Sequence, residues 1–383
     1  MRPARAQPPP KDKKADTQAS SPDAGGILTI DLGAVAANWR TLSNSVAPAE
    51  CAAVVKADGY GCGIEAVSEA LVKAGCRTLF VAHLDEGRKV RALASEATIY
   101  VLNGLLPGMG EDYAKDRLRP VLGSVLEVEE WQAFIAGTGW SGGAALHIDT
   151  GMNRLGLTFE EAQTLAPSIS GINLVMSHLA CADTPAHPLN ARQMAAFRTV
   201  RALYPGIPGS LANSSGIFLG PDSHHEMARP GVALFGGNPT PGHPNPMLPV
   251  VNLRGRILQV RIVPQGETVG YGATWTAHRP STIAIVSIGY GDGFMRSATA
   301  SDDKFGAEAI VAGQRCHLAG IISMDLLAVD VTDLDSNAVR RGDFVTVIGD
   351  GIDIDNLAAR AGTIGYEVLT NLGRRYARLY KGA

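Results

Sequence analysis

The sequence predicts an α/β protein, a (β/α)8 barrel of the TIM type followed by a C-terminal mainly-β domain. Three observations carry that reading. Between about residues 50 and 230, apolar runs of four to six residues alternate with amphipathic stretches, the pattern of parallel strands covered on both faces. Eight such runs can be counted, the number a closed barrel needs. After about residue 245 the texture changes: Pro239, Pro241, Pro244, Pro246 and Pro249 mark a linker, and β-rich segments separated by glycine turns follow.

Residues 1–25 are rich in Pro, Ala, Ser and Lys, with Pro8-Pro9-Pro10 followed by Lys11, Lys13 and Lys14. No apolar stretch follows those charges, so the segment reads as a disordered leader and not as a secretory signal. The barrel is assigned to 26–248. Its strands are expected at 52–56, 78–82, 98–102, 120–122, 145–149, 173–177, 209–212 and, weakly, 226–229. Helices are expected to include 64–74, 85–94, 125–136, 160–165 and 191–203. A doubly wound sheet is the alternative, but it calls for a dinucleotide-type glycine fingerprint, which Gly59-Tyr60-Gly61-Cys62-Gly63 does not match. The β-domain is assigned to 249–383, with strands near 252–263, 282–288, 309–311, 326–331 and 343–348. Helices close it at 354–361 and near 366–376.

Composition narrows the function classes. A chain of 383 residues is too long for one ordinary domain, and 45% hydrophobic with 19% charged residues suffices for a sizeable core. The net charge is −3 and no basic patch stands out, so a nucleic-acid partner is not expected. No apolar run is long enough for a membrane span. The cysteines at 51, 62, 76, 181 and 316 are odd in number and form no CxxC pair. That fits reduced thiols in a cytoplasmic protein better than a disulfide framework, and no metal is expected.

The chemistry gathers at the predicted strand ends. An apolar run, Cys51 to Val55, ends on Lys56 and is followed at once by Ala57-Asp58-Gly59-Tyr60-Gly61. A lysine delivered to a strand-end cleft has its pKa lowered by desolvation and condenses with a carbonyl, that of pyridoxal phosphate included. The fifth strand runs into His147 through Gly156, the sixth ends at Ser177-His178, the seventh at Asn213-Ser214-Ser215-Gly216 and the eighth at Arg229-Pro230-Gly231. Recurrence at one pole of a barrel is the mark of an active site. The segment at 213–216, expected to open a helix, and the one at 229–232 offer a hydroxyl and backbone amides to a phosphate.

The ordered motifs resemble the alanine racemases, pyridoxal-phosphate enzymes of fold type III. They are the lysine segment, Asp149-Thr150-Gly151-Met152-Asn153-Arg154-Leu155-Gly156, Ser177-His178, Asn213-Ser214 and Arg229-Pro230-Gly231-Val232-Ala233-Leu234-Phe235-Gly236. Gly270-Tyr271-Gly272-Ala273-Thr274-Trp275, Ile288-Gly289-Tyr290-Gly291-Asp292-Gly293, Ser323-Met324-Asp325 and Gly362-Thr363-Ile364-Gly365-Tyr366-Glu367 continue the series to cover about residues 27–380. The resemblance implies a homodimer with shared active sites that acts on alanine. It implies that Lys56 holds pyridoxal 5'-phosphate and serves as one base, with Tyr271 of the partner subunit as the other. Tyr60, Ser214, Gly231, Val232 and Tyr366 match phosphate-binding positions, and Arg229 the residue facing the pyridine nitrogen. His178 matches a link between Arg229 and the tyrosine base. Arg154, Met324 and Asp325 match positions near the substrate carboxylate, and Tyr290 one that narrows the entrance. D-alanine supply for peptidoglycan, or its degradation, is the implied role; the alternative is a broader-specificity or serine racemase of the same fold, or a pyridoxal-phosphate-binding protein without turnover. One departure stands out: His147 occupies a position that in many members is a carbamylated lysine orienting the arginine seven residues on.

Overall fold

The computed structural model describes residues 23–382; the leader expected at 1–25 therefore lies outside the described residues save for its last three. Among the described residues the first element is strand β1 (Gly26–Asp31). Nine parallel segments then form one sheet: β2 (Glu50–Cys51), β3 (Ala53–Val54), β4 (Thr78–Val81), β5 (Thr98–Val101), β6 (Arg119–Leu122), β7 (Ala144–His147), β8 (Ile172–Met176), β9 (Gly209–Ser210) and β10 (Met227–Ala228). β2 and β3 act as one strand interrupted at Ala52. The Glu50, Ala52 and Val54 amides donate at 2.9 Å to the Glu226, Ala228 and Pro230 oxygens, while β3 pairs with β4 on its other side. That closes an eight-stranded barrel, as the alternating pattern predicts. β4 and β7 are buried at every position, which is why their sequences read as continuous apolar runs.

The helices surround this barrel and carry ordinary start signals. Asp31 caps Leu32–Val46, accepting from the Ala34 amide at 2.9 Å, and Thr158 with Glu161 forms a capping box on Phe159–Leu165. Gly75 and Gly139, both left-handed, end Ile64–Ala74 and Val125–Thr138.

The second sheet contains β11 (Val251–Val263), β12 (Ser281–Val286), β13 (Glu308–Val311), β14 (Gln314–His317), β15 (Leu327–Asp330), β16 (Phe344–Ile348) and β17 (Ala377–Lys381). β11 serves two layers. Its first half pairs with β1 and β16, its second half with β12, and the register shifts between Ile257 and Gln259 where it changes sides.

Two sequence expectations are corrected here. The assignment of 26–248 to the barrel gives it β1, yet β1 lies between β11 and β17, with Leu28 opposite both Leu253 and Arg378. Gly26, Ile27, Leu28 and Ile30 are buried and Thr29 and Asp31 half-buried. The helix expected near 366–376 is only Gly365–Thr370. Its C-cap is Asn371; beyond it a Cβ on Gly373 would stand 2.5 Å from the Asp292 oxygen, and the chain leaves for β17.

Candidate active site

A cleft of about 690 Å³ opens at the C-terminal ends of the barrel strands. Lys56 stands in it directly after β3, on a backbone that no helix or strand explains. Ala57, Asp58 and Gly59 all have left-handed dihedrals, at φ 54°, 55° and 62°, and Tyr60 and Gly61 follow at φ 52° and 75°. Such a turn costs about 1–2 kcal/mol for each residue that carries a Cβ. The expected strand end at Lys56 thus gives way to a left-handed turn. The turn is held from several sides. The Asp58 carboxylate accepts from the Ile64 amide at 3.1 Å, and Arg378 donates to the Gly61 oxygen at 2.6 Å. The Glu86 carboxylate accepts from the Ala57 amide at 2.6 Å. A Cβ on Gly61 would lie 2.1 Å from the Leu369 oxygen, so only glycine permits this approach to the helix Gly365–Thr370.

Electrostatics at Lys56 favour the free amine. Burial lowers its pKa, the Arg154 charge lowers it further, and Glu86 opposes both.

Arg229 forms the floor. It is 4% exposed; its Nη1 donates to Ser210 Oγ and its Nη2 to the Ser177 oxygen at 2.7 Å. Burial lowers its pKa to about 9, which leaves it charged at neutral pH. No carboxylate pairs with it among the described residues. A buried guanidinium with neutral partners alone calls for an electron-rich acceptor from a ligand.

His147 and His178 stand beside it. Burial and the neighbouring arginine charges push them down to about 4 and about 3, so both imidazoles are neutral. Arg154 reaches the cleft on a tight loop that Asp149 organises, its carboxylate accepting from the Gly151, Met152 and Asn153 amides, each at 2.8 Å.

The opposite wall suits a phosphate. Tyr60 stacks on Phe235 with ring centroids 4.7 Å apart and lies 6.2 Å from the Tyr366 ring. Burial raises both phenols, Tyr366 to about 12, so each remains a donor. A Cβ on Gly231 would lie 2.1 Å from the Tyr60 hydroxyl, and Ser214 Oγ accepts from the Gly231 amide at 2.9 Å. Val232 completes this wall. The helix expected after Asn213-Ser214-Ser215 is a single 3-10 turn, Gly216–Leu219, so the hydroxyl and amides carry this wall without a helix dipole.

Not every expected residue comes to this cleft. Tyr271, Tyr290, Met324 and Asp325 do not line it. Tyr271 borders a separate cleft of about 680 Å³ on the β-domain, with Ile321, Leu326 and Val269. It is 71% exposed, and Met324 and Tyr290 are 54% and 41% exposed. Asp325 pairs with Arg375 at 2.9 Å. Conversely, the sequence reading gave no role to Asn103, Thr370 or Glu367, the last quoted only within its motif, which line the cleft, nor to Glu86, which holds its lysine turn. Glu86 carries a legible signal, an acid at the third position of a helix; the other three follow short apolar or glycine segments and carry none.

The comparison with known proteins completes the picture. The model of the alanine racemase N-terminal domain matches residues 30–239, and that of the C-terminal domain matches 250–380. The chain belongs to the alanine racemase family. An alanine racemase of Methylobacterium sp. (strain 4-46) is 55% identical over 366 residues, 94% of this chain and 99% of that one. A biosynthetic alanine racemase of Agrobacterium fabrum is 45% identical, covering 92% of this chain and 93% of its own. Among solved structures, alanine racemase from Bartonella henselae with covalently bound pyridoxal phosphate superposes with a TM-score of 0.88 at 40% identity. That match covers 93% of this chain and 99% of the other.

Proposed function

We propose that the protein interconverts L- and D-alanine with pyridoxal 5'-phosphate, using Lys56 and Tyr271 as opposed bases. The observation that carries the reading is Lys56: an amine of lowered pKa at a barrel strand end, beside a buried, uncompensated guanidinium. The residues fit the cofactor on three counts. Lys56 offers the amine that takes its aldehyde. Arg229 offers N–H donors to an unprotonated ring nitrogen, with His178 beside it. Tyr60, Ser214, Gly231, Val232 and Tyr366 offer donors and room for its phosphate. When bound, the cofactor withdraws electrons from the substrate and so weakens its Cα–H bond. Because Arg229 remains charged, it cannot take a proton from the ring, which tempers that withdrawal and disfavours transamination.

The protein's own task is to move a proton. One base removes it from Cα and a second returns one from the other face. Burial and the Arg154 charge lower the pKa of Lys56, which moves its amine in the direction a base needs. Arg154 receives the substrate carboxylate. The exposed position of Tyr271, Tyr290, Met324 and Asp325 supports a homodimer in which the partner's Tyr271 completes each site, since within one chain none of the four lines the lysine cleft. We assign the protein to the cytoplasm, where it supplies D-alanine for peptidoglycan or degrades it. All five cysteines are free thiols, and no described helix is long and apolar enough to cross a membrane.

The test is α-proton exchange in deuterated buffer, followed by NMR, with L-alanine, D-alanine, L-serine and L-lysine. Exchange and racemisation confined mainly to the two alanines support the reading. Comparable exchange with all four makes the enzyme a broad racemase, and none from folded, cofactor-loaded protein overturns it.

A further inference from the structure

Two adjacent barrel strands end beside the cleft, and one carboxylate joins them. The Glu86 Oε1 accepts from the amides of Ala57 and Asp58 at 2.6 and 3.3 Å. Its Oε2 accepts from those of Ala82 and His83 at 2.8 and 3.3 Å. The first pair opens the left-handed turn after β3; the second leaves β4 and starts the helix Leu84–Leu93. A strained turn persists only where its surroundings over-determine it, and here backbone donors from two segments converge on a single anion.

We propose that Glu86 is a positioning residue for Lys56, clamping the left-handed turn to the end of β4 so that the lysine amine is held in the cleft. The proposal rests on the reading of Lys56 as the cofactor lysine. A carboxylate is the side chain that meets the requirement, because both of its oxygens accept and neither donates. A glutamine presents one oxygen and one NH2, so in either orientation a pair of backbone donors faces another donor. An aspartate keeps the charge but is shorter by one methylene and reaches one pair only. Glu86 thus acts on the reaction through another residue, and its loss would be felt as a misplaced amine.

A double-mutant cycle on the holoenzyme separates positioning from general support. Cofactor affinity is titrated by visible absorbance in native protein, Glu86→Gln, Lys56→Ala and the double variant. The expected result is at least a tenfold loss from Glu86→Gln when Lys56 is present and less than a twofold loss when it is alanine. Equal losses in both backgrounds would overturn the proposal, since Glu86 would then only support the barrel. Glu86→Asp serves in the same cycle should the glutamine variant not fold. Hydrogen exchange reads the clamp without cofactor: faster exchange confined to 57–61 and 82–83 in the variant supports it, and unchanged exchange there overturns it. Native protein that took up no cofactor would overturn the reading of function instead, and the exchange result would still decide the clamp.

Discussion

Nη2 of Arg229 lies 3.5 Å from Nδ1 of His178. A guanidinium has hydrogens to give and no lone pair to offer, so this contact holds Nδ1 as the acceptor and leaves the ring proton on Nε2. The arrangement ties the arginine proposed to face the pyridine nitrogen to the imidazole that follows β8.

Arg229→Gln removes the charge and part of this bonding. A hydrogen bond to a charged group contributes about 1.5–3 kcal/mol, so racemisation should fall roughly tenfold to hundredfold. With a neutral group facing the ring nitrogen, pyruvate should appear during incubation with alanine. A coupled pyruvate assay checks this, and a variant that racemises at the native rate without pyruvate contradicts the assigned role.

The two neutral histidines predict acid sensitivity. His147 and His178 titrate at about 4 and about 3 when folded, below the ordinary 6.5. As pH falls below 6.5, the unfolded chain takes up protons that the folded chain refuses. Stability is therefore lost progressively towards the folded values, by up to about 1.4 kcal/mol per pH unit for each group. His147→Asn should make that slope shallower. Urea unfolding at neutral pH and at about pH 5 measures both slopes.

Shared sites predict complementation. Lys56→Ala and Tyr271→Phe should each lower racemisation by at least about a hundredfold, the usual contribution of a positioned acid or base. A hybrid dimer of the two variants contains one site with both native bases, and should recover up to about half the native rate. If mixing after dissociation restores nothing, each chain uses its own tyrosine.

The left-handed turn predicts opposite effects at two neighbouring positions. Ala57 is exposed and carries a Cβ at φ 54°. Ala57→Gly relieves about 1–2 kcal/mol of backbone strain against about 0.5–1 kcal/mol of added chain entropy, a net gain of about 0.5 kcal/mol. Gly61→Ala should instead cost more than about 2 kcal/mol, since its φ is positive and its Cβ would collide with the Leu369 oxygen. Denaturant melts of the two variants distinguish the signs.

The barrel was legible because burial on both faces leaves unbroken apolar runs such as Thr78–Val81, and because lysine, histidine and arginine recur where those runs stop. Lys56, His178, Ser214 and Arg229 were legible for the same reason, whereas Tyr60 and Tyr366 were found through the family motifs alone. What was not legible depends on distant partners. β1 joins a sheet whose other strands follow it by more than two hundred residues, a pairing local pattern cannot express. The left-handed turn was hidden because Ala57 and Asp58 ordinarily avoid positive φ; their amides bond to the distant Glu86, and Arg378 bonds to the Gly61 oxygen where the turn ends. Tyr271 was found by its motif alone, since within one chain it stands apart from the lysine it is proposed to oppose.

The place of β1 has a consequence for synthesis. This strand leaves the ribosome first among the described elements, yet both of its neighbours, β11 and β17, are made only after the whole barrel. While the barrel closes, an apolar strand waits with both edges open. β17, the last of the described strands to emerge, covers its second edge. A chain truncated before Ala377 would keep every barrel residue of the lysine cleft and still present an unsealed edge, the kind of surface that recruits other chains and that quality-control proteases meet first.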